Sequence, residues 1–121
     1  MLIASAELPP EPWSVVAACD LVGQVTDSLP KQAREAAELV ASELATNCVV
    51  HAGTDFQVFA AVDDDSVEVV VSDRTGWSPA AGSAGHGLLL VGLLASAWAA
   101  EAEAGGKRVW ARLLVDDVPI S

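Results

Sequence analysis

The spacing of apolar residues changes period several times along this chain, and each change predicts an element. Met1 to Leu8 alternates weakly, as an edge strand does, until Pro9, Pro10 and Pro12 end it. A helix follows with Pro12 in its first turn, carrying Trp13, Val16, Ala17, Leu21 and Val25 on one side. It stops near Leu29-Pro30, because the residue before a proline avoids helical angles. A second amphipathic helix begins near Lys31 and runs to Gly53, which is placed as its C-cap. At ~100° per residue, Val40 and Leu44 mark the centre of its apolar face, with Ala33, Ala36 and Ala37 on the same arc.

Beyond Gly53 the period switches to two. Phe56, Val58, Ala60 and Val62 share one face of a strand from Asp55 to Val62, and Asp63-Asp64-Asp65-Ser66 makes the turn. Val67, Val69 and Val71 share the inward face of a strand from Val67 to Asp73. Arg74 to Ala84, with a Pro and two Gly, reads as a mobile small-residue loop. Gly85-His86-Gly87 leads into Leu88 to Ala95, a helix apolar on nearly every side. Such a helix must be buried on both faces or contribute to an interface. Two last strands, Ala99 to Ala104 and Lys107 to Val115, are joined by Gly105-Gly106, a type I′ hairpin signal. The order β-α-α-β-β-loop-α-β-β predicts an α+β fold, a two-layer sandwich whose mixed, mainly antiparallel sheet is covered on one face by helices.

Polar residues interrupt this pattern at informative places. Asn47 and His51 fall within roughly 20° of the apolar centre of the second helix, and Glu43 lies roughly 60° to one side. Burying such groups unpartnered costs on the order of 1–3 kcal/mol each. One account is structural: helix ends drift polar, and a His in the last turn suits the helix dipole. The other is functional: an acid and an amide at i, i+4 can reach one small object together, and a hydrated Mg²⁺ prefers such oxygen ligands. Asp73 is in phase with Val67, Val69 and Val71, so it is either a carboxylate on the core side of a strand end or the first residue of a turn. The Gly85-x-Gly87 helix start is a generic anion site. It matches neither the dinucleotide fingerprint nor a P-loop.

Composition narrows the setting. The chain's 121 residues suffice for one domain, spanning residues 1–121, and 52% apolar content suits an Ala/Val/Leu core. The longest apolar run, Gly87 to Ala100, falls short of the ~18 residues of a membrane span, and Met1 to Leu8 lacks the positive start of a signal peptide. A cytoplasmic protein is expected. A net charge of −11 argues against nucleic acid as a partner and for a protein with a basic patch. Cys19 and Cys48 lack C-x-x-C spacing and read as buried free thiols.

Together, Glu43-x-x-x-Asn47-x-x-x-His51, Asp73 at a strand end and Gly85-x-Gly87-Leu88 resemble the GHKL ATPases, the Bergerat-type ATP-binding fold of gyrase and histidine kinases. Within that group, E-L-A-T-N-C-V-V-H-A-G-T, the short lid and the ending G-G-K-R-V-W-A-R-L are most similar to the anti-sigma-factor serine/threonine kinases of high-GC bacteria. The resemblance implies ATP and Mg²⁺ as cofactors, with Asn47 as the metal ligand and Glu43 as general base toward a substrate serine. It implies that Asp73 accepts a hydrogen bond from the adenine amino group and that Gly85 and Gly87 let the lid and helix start approach the phosphates. Gly76, His86 and Leu88 join the same ATP-binding set, while His51 occupies a family position, with either packing or a hydrogen bond to a ligand-holding residue as its role. The family's Asp-x-Gly-x-Gly is Asp73-Arg74-Thr75-Gly76-Trp77 here, and Arg108 stands where a Thr commonly helps hold the adenine side. The implied function is an ATP-binding regulator that phosphorylates a small antagonist protein and sequesters a sigma factor. The alternatives are an adaptor of the same fold that has lost nucleotide, and an acidic interaction domain unrelated to ATP. A homodimer is expected, seamed by the apolar edge strand Met1 to Leu8 with Trp13 and Val15 beside it.

Overall fold

The computed structural model describes residues 1–74, 85–103 and 105–117. Its order is β1 (Leu2–Leu8), α1 (Pro12–Val25), α2 (Lys31–Asn47), a π-helical turn (Cys48–Ala52), β2 (Phe56–Val62), β3 (Ser66–Asp73), α3 (Gly85–Leu94), β4 (Ala97–Glu103) and β5 (Gly106–Leu114). The five strands lie in the order β1-β2-β3-β5-β4, and every pairing is antiparallel. The sandwich is therefore α+β as expected, and its described sheet is antiparallel throughout rather than mixed. The 3₁₀ turn Val115–Asp117 follows β5.

Period-two patterning does the work in the sheet. Phe56, Val58, Ala60 and Val62 of β2, Val67, Val69 and Val71 of β3, and Val109, Ala111 and Leu113 of β5 all point inward and are buried. Helix α2 meets them with Ala33, Ala36, Ala37, Val40, Ala41 and Leu44, the arc that its sequence predicts. Each buried Val or Leu contributes roughly 1.5–3 kcal/mol. The β2–β3 turn is held by the Asp63 carboxylate, which accepts the N–H groups of Asp65 and Ser66 at 3.1 and 3.0 Å. Those bonds, that from Asp65 foremost, hold its pKa below the ordinary value.

Helix α1 turns inward a face rotated from the one its bulky residues predict: Val25 is buried and Ala17 and Leu21 pack against the core, but two of the five face solvent. Ser14, Ala18, Val22 and Val25 are buried, while Trp13 and Val16 are 57% and 62% exposed. The inward side is the one with small residues, because α1 lies close on the alanine-rich α2. A Cβ added at Gly23 would come within 2.6 Å of Glu38 Oε1 on α2. The Ser14 hydroxyl is also satisfied there, donating to the Pro9 carbonyl at 2.7 Å.

Helix α3 packs on α2 through the fully buried Val91 and leaves Leu89 and Leu93 in solvent at 64% and 66% exposure. Among the described residues it is thus open on one side and not buried on both faces. The β4–β5 hairpin differs from the Gly105-Gly106 expectation. Glu103 pairs with Gly106, so the turn falls one residue earlier: Gly105 takes the positive φ of 80° and Gly106 is already in β5. No helix among the described residues is long and apolar enough to cross a membrane.

Candidate functional site

Helix α2 keeps its α-helical period through Asn47, so Glu43 and Asn47 lie one turn apart on the same side, both half-buried. The chain then widens into the π-helical turn before Gly53 ends it at φ +67°, in the left-handed conformation of a C-cap. A π turn closes through i→i+5 bonds, so residues beyond Asn47 fall behind the 100° phase. His51 consequently leaves the apolar arc and is exposed, whereas Cys48 faces inward and is buried. The expected line of three polar groups is a line of two.

Strand β3 extends to Asp73, which points to the core side; the alternative of an early turn does not occur. Directly opposite in register lies Lys107 of β5, in phase with Val109, Ala111 and Leu113. The side chains of Asp73 and Lys107 are 0% and 6% exposed, and Lys107 Nζ lies 3.5 Å from Asp73 Oδ2. The Cys48 thiol donates to the same oxygen at 3.4 Å. A buried carboxylate is tolerable only with such partners. Burial, and then the Asp73 charge, push the Cys48 thiol up to about 12, with the Lys107 ammonium acting in the opposite direction. Cys48 therefore carries its proton at neutral pH and serves as a donor rather than a nucleophile.

Gly106 makes this arrangement sterically accessible. A Cβ there would overlap the Asp73 carbonyl oxygen and approach Arg74 Cα to 2.8 Å. Without one, β5 begins hard against the end of β3 and brings Lys107 alongside Asp73. Arg108, next in the strand, points to the other face, where it bonds Glu101 Oε1 at 3.2 Å. Trp110 Nε1 donates to that same oxygen at 2.8 Å. Arg108 thus does not stand beside Asp73.

Lys107 and Cys48 went unrecognised as partners of Asp73 in the sequence. Counting back by two from Val109 would have found Lys107; Cys48 becomes visible only with the π turn. Gly85 to Leu88 form the first turn of α3. Gly76, Thr75 and Trp77 lie outside the described residues, as does most of the loop expected between Arg74 and Ala84. A cavity of about 210 Å³ at the sheet end is lined by Asp73, Phe56, Arg74 and Gly105 among others, but not by Glu43 or Asn47.

The donor chemistry fits a hydrated cation and a base amine. No group of three or more His, Cys, Asp or Glu among the described residues could hold a metal by itself. One carboxylate and one amide oxygen, on Glu43 and Asn47, suit Mg²⁺, which keeps most of its waters. Among the described residues Asp73 is an acceptor held by the Cys48 thiol and the Lys107 ammonium, in a dry setting where its hydrogen bonds are strong. A family model described as the histidine kinase-like ATPase domain matches residues 8–113. No curated protein matches the chain.

Proposed function

Because the chain belongs to the histidine kinase-like ATPase domain family, we propose that it is an ATP-binding regulatory protein of the anti-sigma-factor serine kinase type. The observation that carries this reading is the buried Asp73 at the end of β3, packed against the π turn that follows Asn47 at the end of α2. Asp73 would accept the adenine amino group, and Asn47 would hold Mg²⁺ through its amide oxygen. The N–H groups of the first turn of α3, at Gly85 and Gly87, would face phosphate. Mg²⁺, when bound, neutralises phosphate charge and orients the transferred group. Glu43, one turn before Asn47, would take the hydroxyl proton of a substrate serine as that oxygen attacks. The substrate in this reading is a small antagonist protein, and a sigma factor is the second partner.

One observation favours the rival reading, a nucleotide-free adaptor: the Asp73 carboxylate is already ion-paired with Lys107. Calorimetry with ATP and Mg²⁺ separates the two. Binding with Kd on the order of 10–1000 μM is expected, equivalent to roughly −7 to −4 kcal/mol. Asn47→Ala should remove the Mg²⁺-dependent part, while Glu43→Ala should bind nearly as the unmodified chain and fail to transfer phosphate. No heat at millimolar ATP, together with no thermal shift, would establish the adaptor.

A further inference from the structure

The carboxylate expected to read the base has a cation built in beside it. Lys107 and Asp73 are facing residues of two paired strands, both on the inward side, with their charged ends 3.5 Å apart. Gly106 fixes the backbone of β5 against Asp73, so this placement follows from strand register and not from a long side chain wandering into reach. A buried ion pair is rarely more stable than an apolar pair of similar size. An aliphatic residue at 107 would simply continue the row Val109, Ala111 and Leu113. Stability therefore gives no reason for the pair as a whole, although Lys107 is the counter-charge that a buried Asp73 requires. Arg108 offers no alternative cation, since it is bonded to Glu101 on the opposite face.

We propose that Lys107 is a base-recognition residue, whose ammonium donates to the acceptor ring nitrogen next to the amino group that Asp73 accepts. The inference rests on the ATP-binding reading and deepens it. An ammonium carries three donors in a rotatable head, so one can serve Asp73 while another serves a ligand. The edge of adenine presents a donor, its amino group, beside an acceptor, the ring nitrogen N1. A carboxylate and an ammonium held side by side present the complementary order. Cys48 adds a neutral donor to the same carboxylate oxygen and helps hold its orientation. The pair then reads two features of the base where a lone carboxylate reads one. On this account the ion pair is part of the site and does not block it.

The test is calorimetry of the full chain with Mg²⁺ and three nucleotides: ATP; 1-deaza-ATP, which keeps the amine but has CH in place of the ring nitrogen; and purine riboside triphosphate, which keeps that nitrogen but lacks the amine. The unmodified protein should bind each analogue about tenfold more weakly than ATP, ~1.4 kcal/mol. In Lys107→Met, ATP and 1-deaza-ATP should bind alike, while the analogue without the amine remains weaker. Because Lys107→Met can fail to fold, the comparison of analogues on the unmodified protein decides by itself. Equal affinity for ATP and 1-deaza-ATP overturns the role of Lys107 and leaves ATP binding standing. Tighter ATP binding by Lys107→Met also overturns it, since the ammonium would then be an obstacle. Absence of ATP binding overturns both readings together.

Discussion

Gly105 and Gly106 are neighbours in sequence, yet replacing them should have different costs for different reasons. At Gly106, an alanine methyl would overlap the Asp73 carbonyl oxygen and crowd Arg74 Cα at 2.8 Å. These are backbone atoms of β3, which cannot rotate away as a flexible side chain does. Relief requires β5 to recoil from β3 at the position where Lys107 meets Asp73. Overpacking alone costs about 1–3 kcal/mol, and weakening a charged hydrogen bond adds about 1.5–3 kcal/mol. Gly106→Ala should therefore lose about 2.5–6 kcal/mol, a large share of the ~5–15 kcal/mol typical of a domain. At roughly 4 °C per kcal/mol for a chain of this size, Tm should fall by roughly 10–24 °C. At Gly105 the φ is +80° and nothing lies within 4 Å of an added Cβ. Only left-handed strain remains there, and Gly105→Ala should lose about 1–2 kcal/mol. Urea unfolding followed by circular dichroism measures both. If Gly106→Ala costs no more than Gly105→Ala, the close approach of β5 to Asp73 is not what sets the end of this sheet.

The buried thiol gives a pH prediction. In the folded chain Cys48 keeps its proton up to about 12, against 9.0 for an ordinary thiol. Above that ordinary value the unfolded state binds fewer protons than the native state, so this contribution is fully present below it and is lost as pH rises toward the folded pKa. The slope approaches about −1.4 kcal/mol per pH unit. Urea unfolding at a series of alkaline pH values should show a shallower decline for Cys48→Ala, and an unchanged slope would remove Cys48 as its source. For assembly, we expect a homodimer seamed by β1, an edge strand in which Leu2 and Ile3 are exposed, with Trp13 of α1 exposed as well. Light scattering should give about twice 12.4 kDa, lost on deletion of residues 1–8. A 12.4 kDa particle at both low and moderate salt would rule the dimer out.

Much of the fold was legible because it rests on local periodicity. The two-residue alternation in β2, β3 and β5 identified their inward faces, and it carried Asp73 to the core side as one of two alternatives. The α2 arc of Ala33, Val40 and Leu44 was equally plain. Helix α1 was read partly off its inward face: Val25 is buried and Ala17 and Leu21 pack against the core, but Trp13 and Val16 face solvent, since counting bulky residues ignores how closely two helices approach. Ser14, Ala18 and Gly23 mark the close face because they are small, and size is informative only once the neighbour is known. His51 was misplaced for another reason: the π turn after Asn47 breaks the regular phase from which its angle was reckoned. Gly106 was assigned to the turn through a dipeptide rule, whereas its task is set by the Asp73 carbonyl across the sheet.

The sequence by itself determined the elements, the layer arrangement, the Glu43–Asn47 pair and the family resemblance, because each depends on residues close together in the chain. Only the tertiary structure decided what surrounds Asp73. Cys48 and Lys107 are 25 positions before it and well beyond it in the chain, and they meet at one carboxylate oxygen through a π turn and a strand register. Neither residue carries a motif that announces the contact. Charge and thiol chemistry act through space over a few ångströms, and a distance of that kind between remote residues exists only when the chain has folded.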